Sequence, residues 1–401
     1  MKIAIFNDFQ LPIPAVKGGS VPSLTNIIID ENERKKEFEF VVYSEYDKTA
    51  AEESTKYKQT QFFFSKKARK TRFFTNLAFT VMRKLRLNAN LSGIPLPSDV
   101  KKHFKSQHFD AVYINGYIRG FGGIAKHTSA PIIYQHHVVT DILNEKTVDG
   151  RELFDRCDKI LFVSEFASNY AKTGKQKYDS KIKTFLNAID TERFNTDNKD
   201  EIRAKIRKEL GFGTDDVVIL YVGRMVENKG CYEVIKAFNE AGFNNNVKLV
   251  IIGGATYSSK KVTPFVQKCF DEAKKNENIT FCGYVPYGRI HEYYLAADIS
   301  TLPSRCDEAA GLVGIESMAA GLPVITTNRG GIGEYVADGC KIVTPDDKDI
   351  VPNMSAAMKK LIESPDLRSK MGQRGIEISA NFSKEAYYER FLKIIFEENI
   401  H

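Results

Sequence analysis

The sequence lacks any apolar run of the roughly 18 to 20 residues that a helix needs to cross a bilayer. Its first strand-like stretch, residues 2–6, is followed at once by Asn7 and Asp8, so we expect neither a membrane-spanning helix nor a signal peptide. The six cysteines form no Cys-x-x-Cys pair and have no histidine at metal-ligand spacing, which argues against a thiolate metal site and favours buried free thiols in a reducing cytosol. Proline is sparse, with 13 residues in 401, and the 42% hydrophobic content excludes a disordered or fibrous chain.

The basic excess is concentrated in one window. The chain has a formal charge of +7, but residues 66–105 hold eleven lysines and arginines against Asp99 alone, so this window is +10 and the rest is −3. At about 100° per residue, a helix in this window would have an apolar side and a basic side. The apolar side would hold Phe74, Leu77, Ala78, Val81 and Leu85, and the basic side Arg69, Arg72, Arg83 and Arg86.

Three interpretations of this basic helix stay open. It could dock its apolar side on its own domain and leave a solvated basic face, it could bind anionic lipid at a membrane surface, or it could bind nucleic acid. The last ranks lowest because no helix-turn-helix, zinc or RNP-like motif accompanies the charge.

Strand-like runs alternate with helical segments in both halves of the chain. The runs of the first half are residues 2–6, 40–44, 111–115, 131–136, 159–164 and 183–186, and those of the second are 217–223, 248–252, 279–282, 299–302, 323–327 and 341–343. Several are continuously hydrophobic, as strands covered on both faces are, so parallel βαβ units follow. We predict two Rossmann-like, doubly wound α/β domains, residues 1–190 and 191–380, with a ligand in the cleft where their sheets face each other. The last helical segment, within 381–401, is expected to pack back on the first domain.

Glycines mark the loop after the first strand. Neither half carries Gly-x-Gly-x-x-Gly after its first strand, which demotes a nicotinamide-dependent dehydrogenase. The first loop instead ends in Gly18-Gly19 before a helix, where glycines let backbone N–H groups approach an anion. The same pair is also compatible with an ordinary turn.

Two loops of the second half carry charged side chains at strand ends. The strand that begins at Val217 runs into a loop with Arg224 and Lys229, which could hold a diphosphate and stabilise it as a leaving group without a metal. The loop after residues 299–302 carries Glu308, and Glu316 lies on a helix that begins near Gly311. The free N–H groups at that helix start would add to the anion site.

Together these residues resemble the retaining, nucleotide-sugar-dependent glycosyltransferases of family 4 (glycosyl transferases group 1), which have the GT-B fold. Glu308 and Glu316 match the Glu-x7-Glu element of that family. Other matches follow in the expected order over nearly the whole chain: Gly18-Gly19, Gly223-Arg224 with Lys229-Gly230, Asn187-Ala188-Ile189-Asp190, Gly283-Tyr284-Val285, and Gly330-Gly331 with Glu334. Ala188 departs from a common glycine and Ala309-Ala310 from a frequent Pro-Phe, which leaves the donor sugar open.

The resemblance implies a role for each matching residue of the donor site. Arg224 and Lys229 would hold the donor diphosphate, and Glu308 would bind hydroxyls of the donor sugar. Glu316 would accept hydrogen bonds from the ribose, and the backbone at Val285 would contact the nucleobase. The remaining donor contacts would be backbone N–H groups, at Gly311, Leu312 and Val313.

In the first domain, Gly18 and Gly19 would lie beside the diphosphate and the acceptor. A histidine after the strand that begins at Pro131 would approach the donor sugar. Spacing favours His137, with His136 as the alternative, and only one should reach the cleft because adjacent strand residues point to opposite faces.

The resemblance therefore implies an enzyme, a retaining hexosyltransferase. It would move a hexose or N-acetylhexosamine from a nucleotide sugar, with UDP favoured, to a hydroxyl of a membrane-associated glycan or glycolipid in bacterial lipopolysaccharide or polysaccharide synthesis. We expect no cofactor, no metal and no nucleic-acid partner, and a cytoplasmic protein that contacts the inner face of an anionic membrane through residues 66–105. The alternatives are a GT-B-type nucleotide-sugar epimerase and a non-catalytic homologue that binds sugar nucleotide.

Overall fold

A computed structural model describes residues 1–84, 95–116, 120–139, 148–172, 176–255 and 262–396. The chain divides into two compact units. The first unit comprises Met1–Asn187 together with the chain from Tyr387, and the second comprises Ala188–Ala386. The boundary thus falls three residues before the expected hinge at residue 190.

The first unit is a seven-stranded parallel sheet with strand order β3-β2-β1-β4-β5-β6-β7. Its strands are β1 (Lys2–Phe6), β2 (Glu39–Glu45), β3 (Thr60–Ser65), β4 (Ala111–Asn115), β5 (Ile132–His136), β6 (Lys159–Phe162) and β7 (Ile182–Thr184). The connecting helices are α1 (Ser20–Lys35), α2 (Lys48–Ser54), α3 (Ala68–Lys84), α4 (Ser98–Lys105), α5 (Phe121–Ala125), α6 (Val148–Arg156) and α7 (Glu165–Lys172). All six predicted strands are confirmed, and the edge strand β3 is an addition.

Apolar side chains on both faces of this sheet explain why its strands read as continuous hydrophobic runs. Phe6 of β1 stacks on Tyr43 of β2 with ring centroids 4.4 Å apart, and the edge of Phe104 from α4 meets Phe6 at 5.2 Å. The residues of β1 from Ile3 to Phe6 are fully buried. Helices therefore cover both sides of the sheet, as a parallel sheet requires.

The second unit is a six-stranded parallel sheet with strand order β10-β9-β8-β11-β12-β13. Its strands are β8 (Val217–Val222), β9 (Val247–Ile252), β10 (Ile279–Gly283), β11 (Ile299–Leu302), β12 (Val324–Thr326) and β13 (Lys341–Val343). Its helices are α8 (Lys199–Leu210), α9 (Cys231–Ala241), α10 (Pro264–Ala273), α11 (Tyr287–Ala296), α12 (Leu312–Ala319), α13 (Ile332–Tyr335), α14 (Ile350–Glu363) and α15 (Pro365–Ser379). Every strand predicted here is present within two residues of its predicted ends.

The last helix, α16 (Lys384–Phe396), begins in the second unit, and its residues from Tyr387 belong to the first. Residues 381–386 stay with the second unit because the Phe382 carbonyl accepts from the Ile189 N–H at 3.0 Å and Lys384 pairs with Asp190 at 3.1 Å. Further along, the Lys159 ammonium of β6 donates to the Ile394 carbonyl at 2.5 Å. This bond holds the last turn of α16 on the first unit.

Each sheet has one point where its strand order reverses. The chain builds outward from β1 through β2 to β3 and then returns to β4 on the other side of β1. In the second sheet it runs from β8 through β9 to β10 and returns to β11 beside β8. Ligands of open α/β sheets bind outside the carboxyl ends of the strands at such points. The loops after β8 and β11, and after β1 and β4, are therefore the places where functional side chains are expected.

Candidate active site

The loop after β8 is held in shape by the strand that leads into it. The hydroxyl of the buried Tyr221 lies within hydrogen-bonding distance of the carbonyl oxygens of Arg224 (3.0 Å) and Lys229 (3.3 Å). Gly230 has φ 70°, and a Cβ there would lie 2.1 Å from the carbonyl oxygen of Pro303 in the loop after β11. Only glycine permits this approach, so the two loops are in direct contact at Gly230.

The two cations predicted for this loop differ in their surroundings. Lys229 is largely buried and its ammonium pairs with the carboxylate of Glu308, with 22% and 16% of the two side chains exposed. Arg224 is exposed, and within the described part of the chain no carboxylate pairs with it. The loops after β8 and β11 thus bring Lys229 and Glu308 together. The sequence places these residues 79 positions apart.

The loop that carries Glu308 is fixed from several directions. The buried Ser304 hydroxyl donates to the Glu308 carboxylate, and the Gly331 N–H donates to the Glu308 carbonyl at 2.7 Å. A Cβ on Gly330 would lie 2.4 Å from that carbonyl oxygen, so this position also needs glycine. The Arg305 N–H donates to the Asn228 carbonyl at 2.9 Å and ties the loop to the one after β8.

The helix α12 presents its amino end directly after this loop. Its N-cap is Gly311, which has no side chain to satisfy the first backbone N–H groups of the helix. Leu312 and Val313 follow in the first turn and are half-buried. A Cβ on Gly314 would lie 2.2 Å from Val336, so glycine lets the first turn of the helix pack closely. The end of α12 is a position where N–H groups could receive an anion.

Glu316 lies one turn further along α12 in a different environment from Glu308. The hydroxyl of the buried Tyr294 donates to its carboxylate at 2.7 Å. Burial raises the pKa of Glu316 to about 7, while the hydrogen bond from Tyr294 and the charge of Arg193 act in the opposite direction. Burial thus brings the pKa of this carboxyl close to neutral pH.

Arg193 lies beside the loop after β10 that carries Val285. Its guanidinium donates to the Tyr287 carbonyl at 2.7 Å and lies 4.8 Å from the centroid of the Tyr287 ring. Gly283 has φ 64°, Tyr284 is exposed, and Val285 is half-buried. Sequence reasoning missed Arg193 and Tyr294. Neither stands in a recognisable motif, and each was found only through a contact between distant elements.

In the first unit the two glycines after β1 have positive φ angles, which glycine adopts without strain. Gly18 has φ 69° and Gly19 φ 99°, and a Cβ on Gly19 would lie 2.6 Å from the Leu11 side chain. Helix α1 begins immediately afterwards, and the Ser23 N–H donates to the Gly19 carbonyl at 3.0 Å. The loop thus delivers both glycines to the amino end of α1.

The two histidines at the end of β5 lie in different places. His136 is buried among aromatic residues, with its Nδ1 3.2 Å from the Tyr134 hydroxyl and its ring edge-on to Phe162. His137 is half-buried, and its ring lies 3.5 Å from where a Cβ on Gly116 would be. Burial lowers the pKa of His136 to about 4 and that of His137 to about 3, so both rings are neutral at pH 7.

A polar network connects His137 to the loop edge of the first sheet. Its Nε2 contacts the Asn115 side-chain oxygen, the Asn115 amide donates to the Thr25 hydroxyl at 2.7 Å, and the Asn7 amide donates to the same hydroxyl at 3.0 Å. Because the Asn115 oxygen accepts, the Nε2 of a neutral His137 carries the proton. The ring is therefore held at the reversal point between β1 and β4.

Helix α3 does not dock its apolar side on its own unit, and that interpretation is wrong for the described side chains. Phe74, Leu77 and Val81 are 55%, 52% and 47% exposed, and Phe73 beside them is 65% exposed. Arg72, expected on a solvated basic face, instead pairs with Glu45 at 2.5 Å and also donates to the Phe9 carbonyl. These two bonds hold Arg72 against its own unit, while Arg69 stays exposed and the described apolar side chains face outward. Leu85 and Arg86 lie outside the described residues, as do the side chains of Ala78 and Arg83.

The structure also bears on metal ligands, membrane-spanning helices and cysteines. Among the described residues no group of three or more His, Cys, Asp or Glu side chains could hold a metal ion. No helix of that part of the chain is long and apolar enough to span a bilayer. All six cysteines are free thiols, four of them buried and Cys282 and Cys306 half-buried.

Residues 202–378, nearly all of the second unit, match the family described as glycosyl transferases group 1. The second unit is therefore similar to this glycosyltransferase family, and the match spans less than half of the chain. Every residue proposed for the donor site of the second unit lies within the matched range, whereas Gly18, Gly19 and His137 lie outside it.

One relative and one solved structure that cover nearly the whole chain extend the likeness to the first unit. The lipopolysaccharide 1,2-N-acetylglucosaminetransferase of Salmonella typhimurium is 30% identical over 47% of this chain, and the match spans only 49% of that enzyme. Spore coat protein SA of Bacillus subtilis is 24% identical over the whole length of both chains. A crystal structure of Anabaena HepE in complex with UDP superposes with a TM-score of 0.74 at 17% identity, covering 99% of this chain and 100% of that one. The GT-B fold expected from the sequence is confirmed.

Proposed function

We propose that this protein is a group 1 glycosyltransferase, a retaining hexosyltransferase that uses a UDP-linked sugar. The acceptor would be a hydroxyl of a membrane-associated glycan or glycolipid in bacterial lipopolysaccharide or polysaccharide synthesis. The observation that carries the proposal is the Lys229–Glu308 pair at the reversal point of the second sheet, beside the open amino end of α12. Support for the donor and the acceptor comes from HepE, which was crystallised with UDP, and from the Salmonella lipopolysaccharide enzyme.

The donor diphosphate would be bound by three groups of the second unit. Arg224 is exposed and can turn its planar guanidinium to two phosphate oxygens, while Lys229 offers a point charge from a nearly buried position. The free N–H groups at Gly311, Leu312 and Val313 would complete the site. All three favour a departing nucleoside diphosphate, because they stabilise the charge that develops as the glycosidic bond breaks. This set supplies positive charge without a metal ion, which we include in the proposal.

The two carboxylates, Glu308 and Glu316, would bind the sugar and the ribose of the donor. Only one oxygen of Glu308 is engaged by described residues, which leaves the other to accept hydrogen bonds from sugar hydroxyls. Glu316 would accept from the ribose, and the backbone at Val285 would contact the base. The neutral His137 and the loop of Gly18 and Gly19 would serve the donor sugar, the diphosphate and the acceptor from the first unit.

A thermal-shift screen of the purified protein tests the donor assignment. UDP, GDP, ADP and their common sugar conjugates are compared with Mg²⁺ and with EDTA. We expect a selective rise in melting temperature for uridine nucleotides that EDTA does not diminish. A response to another base would correct the donor, a response only with Mg²⁺ would refute metal independence, and no response to any nucleotide would refute the donor site.

Product analysis then tests the reaction. Incubation with the selected donor and extracted glycolipid precursors should yield a glycosylated lipid whose new linkage keeps the anomeric configuration of the donor, as read by NMR. Inversion would refute the retaining mechanism. Conversion of the sugar nucleotide to its epimer without any acceptor would identify the epimerase instead.

The exposed side of α3 supports contact with a membrane. Phe73, Phe74, Leu77 and Val81 form an apolar strip, and the neighbouring Lys66, Lys67, Arg69 and Lys70 are exposed. Apolar side chains flanked by cations are typical of helices that lie in the headgroup region of anionic bilayers. We therefore place the protein at the inner face of the cytoplasmic membrane, near a lipid-linked acceptor. Co-sedimentation should show binding to phosphatidylglycerol vesicles and little binding to phosphatidylcholine vesicles, and equal binding to both would count against this part of the proposal.

A further inference from the structure

We propose that Ser304 is a positioning residue that keeps the Glu308 carboxylate in place when Lys229 turns from Glu308 to the donor diphosphate. This inference rests on the proposed function and deepens it. It assigns a task to a side chain that no motif or comparison singles out.

One oxygen of Glu308 receives both donors. Oε1 accepts from the Lys229 ammonium and from the Ser304 hydroxyl, whereas Oε2 has no hydrogen bond with any residue in the described ranges. The carboxylate is thus anchored through one oxygen and free at the other. A free oxygen is what binding of a sugar hydroxyl requires, and the anchored one decides where the free one points.

The two donors differ in what else they can bind. Lys229 has four side-chain carbons, is 22% exposed, and would find a second anionic partner in a diphosphate beside it. Ser304 is 1% exposed and has a side chain of one carbon, so its hydroxyl can move much less than the Lys229 ammonium can. When a nucleotide arrives, Lys229 can therefore be shared or released, while Ser304 stays with Glu308.

The backbone of Ser304 is held as firmly as its side chain. Its carbonyl accepts from the buried Thr327 hydroxyl, and the next residue, Arg305, donates its N–H to Asn228 at 2.9 Å. The Arg305 guanidinium pairs with Glu233 at 2.7 Å and with Asp346 at 2.9 Å. These contacts come from four separate segments of the second unit. A hydroxyl anchored in this way fixes the position of the carboxylate it binds.

The affinities for two ligands distinguish a positioning role of Ser304 from a purely structural one. Isothermal titration measures the affinity of wild-type and Ser304→Ala protein for UDP and for UDP-N-acetylglucosamine, the second differing from the first by the sugar that Glu308 would bind. We expect Ser304→Ala to weaken the sugar nucleotide roughly tenfold, since a hydrogen bond to a charged group is lost, and to change UDP affinity less than about twofold. Ser304→Cys, nearly equal in size but a weak donor, should shift the ratio of the two affinities in the same direction and serves if the alanine variant folds poorly.

The matched control is Ser300→Ala. Ser300 is buried on β11, four residues before Ser304, and its hydroxyl contacts Ser317 at 2.7 Å rather than Glu308. The Ser300→Ala variant should leave the ratio of the affinities for UDP and UDP-N-acetylglucosamine unchanged. If the Ser304 variants weaken UDP as much as the sugar nucleotide, or weaken neither, the positioning role is refuted and the proposed function stands. If the wild-type protein binds neither ligand, the proposed donor is refuted and this inference with it.

Discussion

Replacing Lys229 with methionine tests the most specific feature of the site. The change keeps the length and apolar stem of the side chain and removes its charge, so Glu308 loses its ion-pair partner and retains only the hydroxyl of Ser304. Two quantities should respond, and for different reasons. The free energy of unfolding falls because a largely buried carboxylate is left unpaired, and turnover falls because the leaving diphosphate loses a cation.

The magnitudes follow from burial and from the charge removed. Breaking a fully buried ion pair costs about 3–5 kcal/mol, but here about a fifth of each side chain is exposed and one donor remains, so we expect roughly 1–3 kcal/mol. For a unit of this size, a loss of free energy of unfolding at the middle of that range should lower the melting temperature by roughly 4–8 °C. Loss of one preorganised donor at a developing negative charge lowers turnover by roughly 10²–10³-fold.

The double variant Lys229→Met with Glu308→Gln distinguishes the two effects. Neither charge is then left unpaired, and the glutamine oxygen can still accept from Ser304, so stability should return to within about 1 kcal/mol of the wild type. Activity should stay low, because both the Lys229 cation and the Glu308 carboxylate are absent. Urea denaturation and a radiolabelled transfer assay measure the two quantities. Near-normal turnover of Lys229→Met would refute the diphosphate role, and a double variant as unstable as the single one would refute the account of the ion pair.

Three further predictions concern other parts of the molecule. Since burial raises the pKa of Glu316 from 4.5 to about 7, the folded protein keeps a proton on Glu316 that the unfolded chain releases, so the Glu316 contribution to the free energy of unfolding should fall as pH rises from about 4.5 to about 7 and then level off. His136 and His137, whose pKa values are lowered by burial, act in the opposite direction, so the Glu316 contribution is read as the difference between urea titrations of the wild type and the Glu316→Gln variant at stepped pH, and a difference that does not change with pH would contradict it. Lys159→Met leaves the Ile394 carbonyl without its donor and should destabilise the first unit by about 1–3 kcal/mol, with faster hydrogen exchange in the last turn of α16; unchanged exchange there would contradict it. Leu77→Glu should abolish binding to anionic vesicles and leave the melting temperature within about 2 °C, because the side chain is 52% exposed; retained binding would exclude α3 as the contact.

The strands and the donor-site loops were predictable because they depend on local pattern. Buried parallel strands are continuous hydrophobic runs, and the charged residues after β8 and β11 lie at strand ends where the topology brings loops together. Strand β3 was missed because it lies at the sheet edge, where Phe62, Phe63 and Phe64 are only half-buried and a run of aromatic residues does not stand out. Ser304 was missed because a serine beside a glutamate is common. Its hydroxyl meets the carboxylate of Glu308 only in the folded structure.

Helix α3 shows most clearly where sequence reasoning ends. A period of 3.6 residues orders side chains around a helix but does not say which side meets the protein. Arg72 faces inward because Glu45 and the Phe9 carbonyl, from two other segments, bind its guanidinium, and Phe74 and Leu77 face outward as a result.

The sequence by itself determined the two doubly wound sheets, their approximate bounds and the cations and carboxylates of the second unit, since periodicity, glycine positions and strand ends are local properties of the chain. Only the tertiary structure decided that Lys229 and Glu308 form a pair and that Tyr294 contacts Glu316. It also decided that His136 is buried in the core while His137 is held against Asn115 at the end of β4, and that α3 exposes its apolar side. Each of these is a contact between residues far apart in the chain. Such contacts depend on packing and on the competition among several charged partners, which no local pattern records.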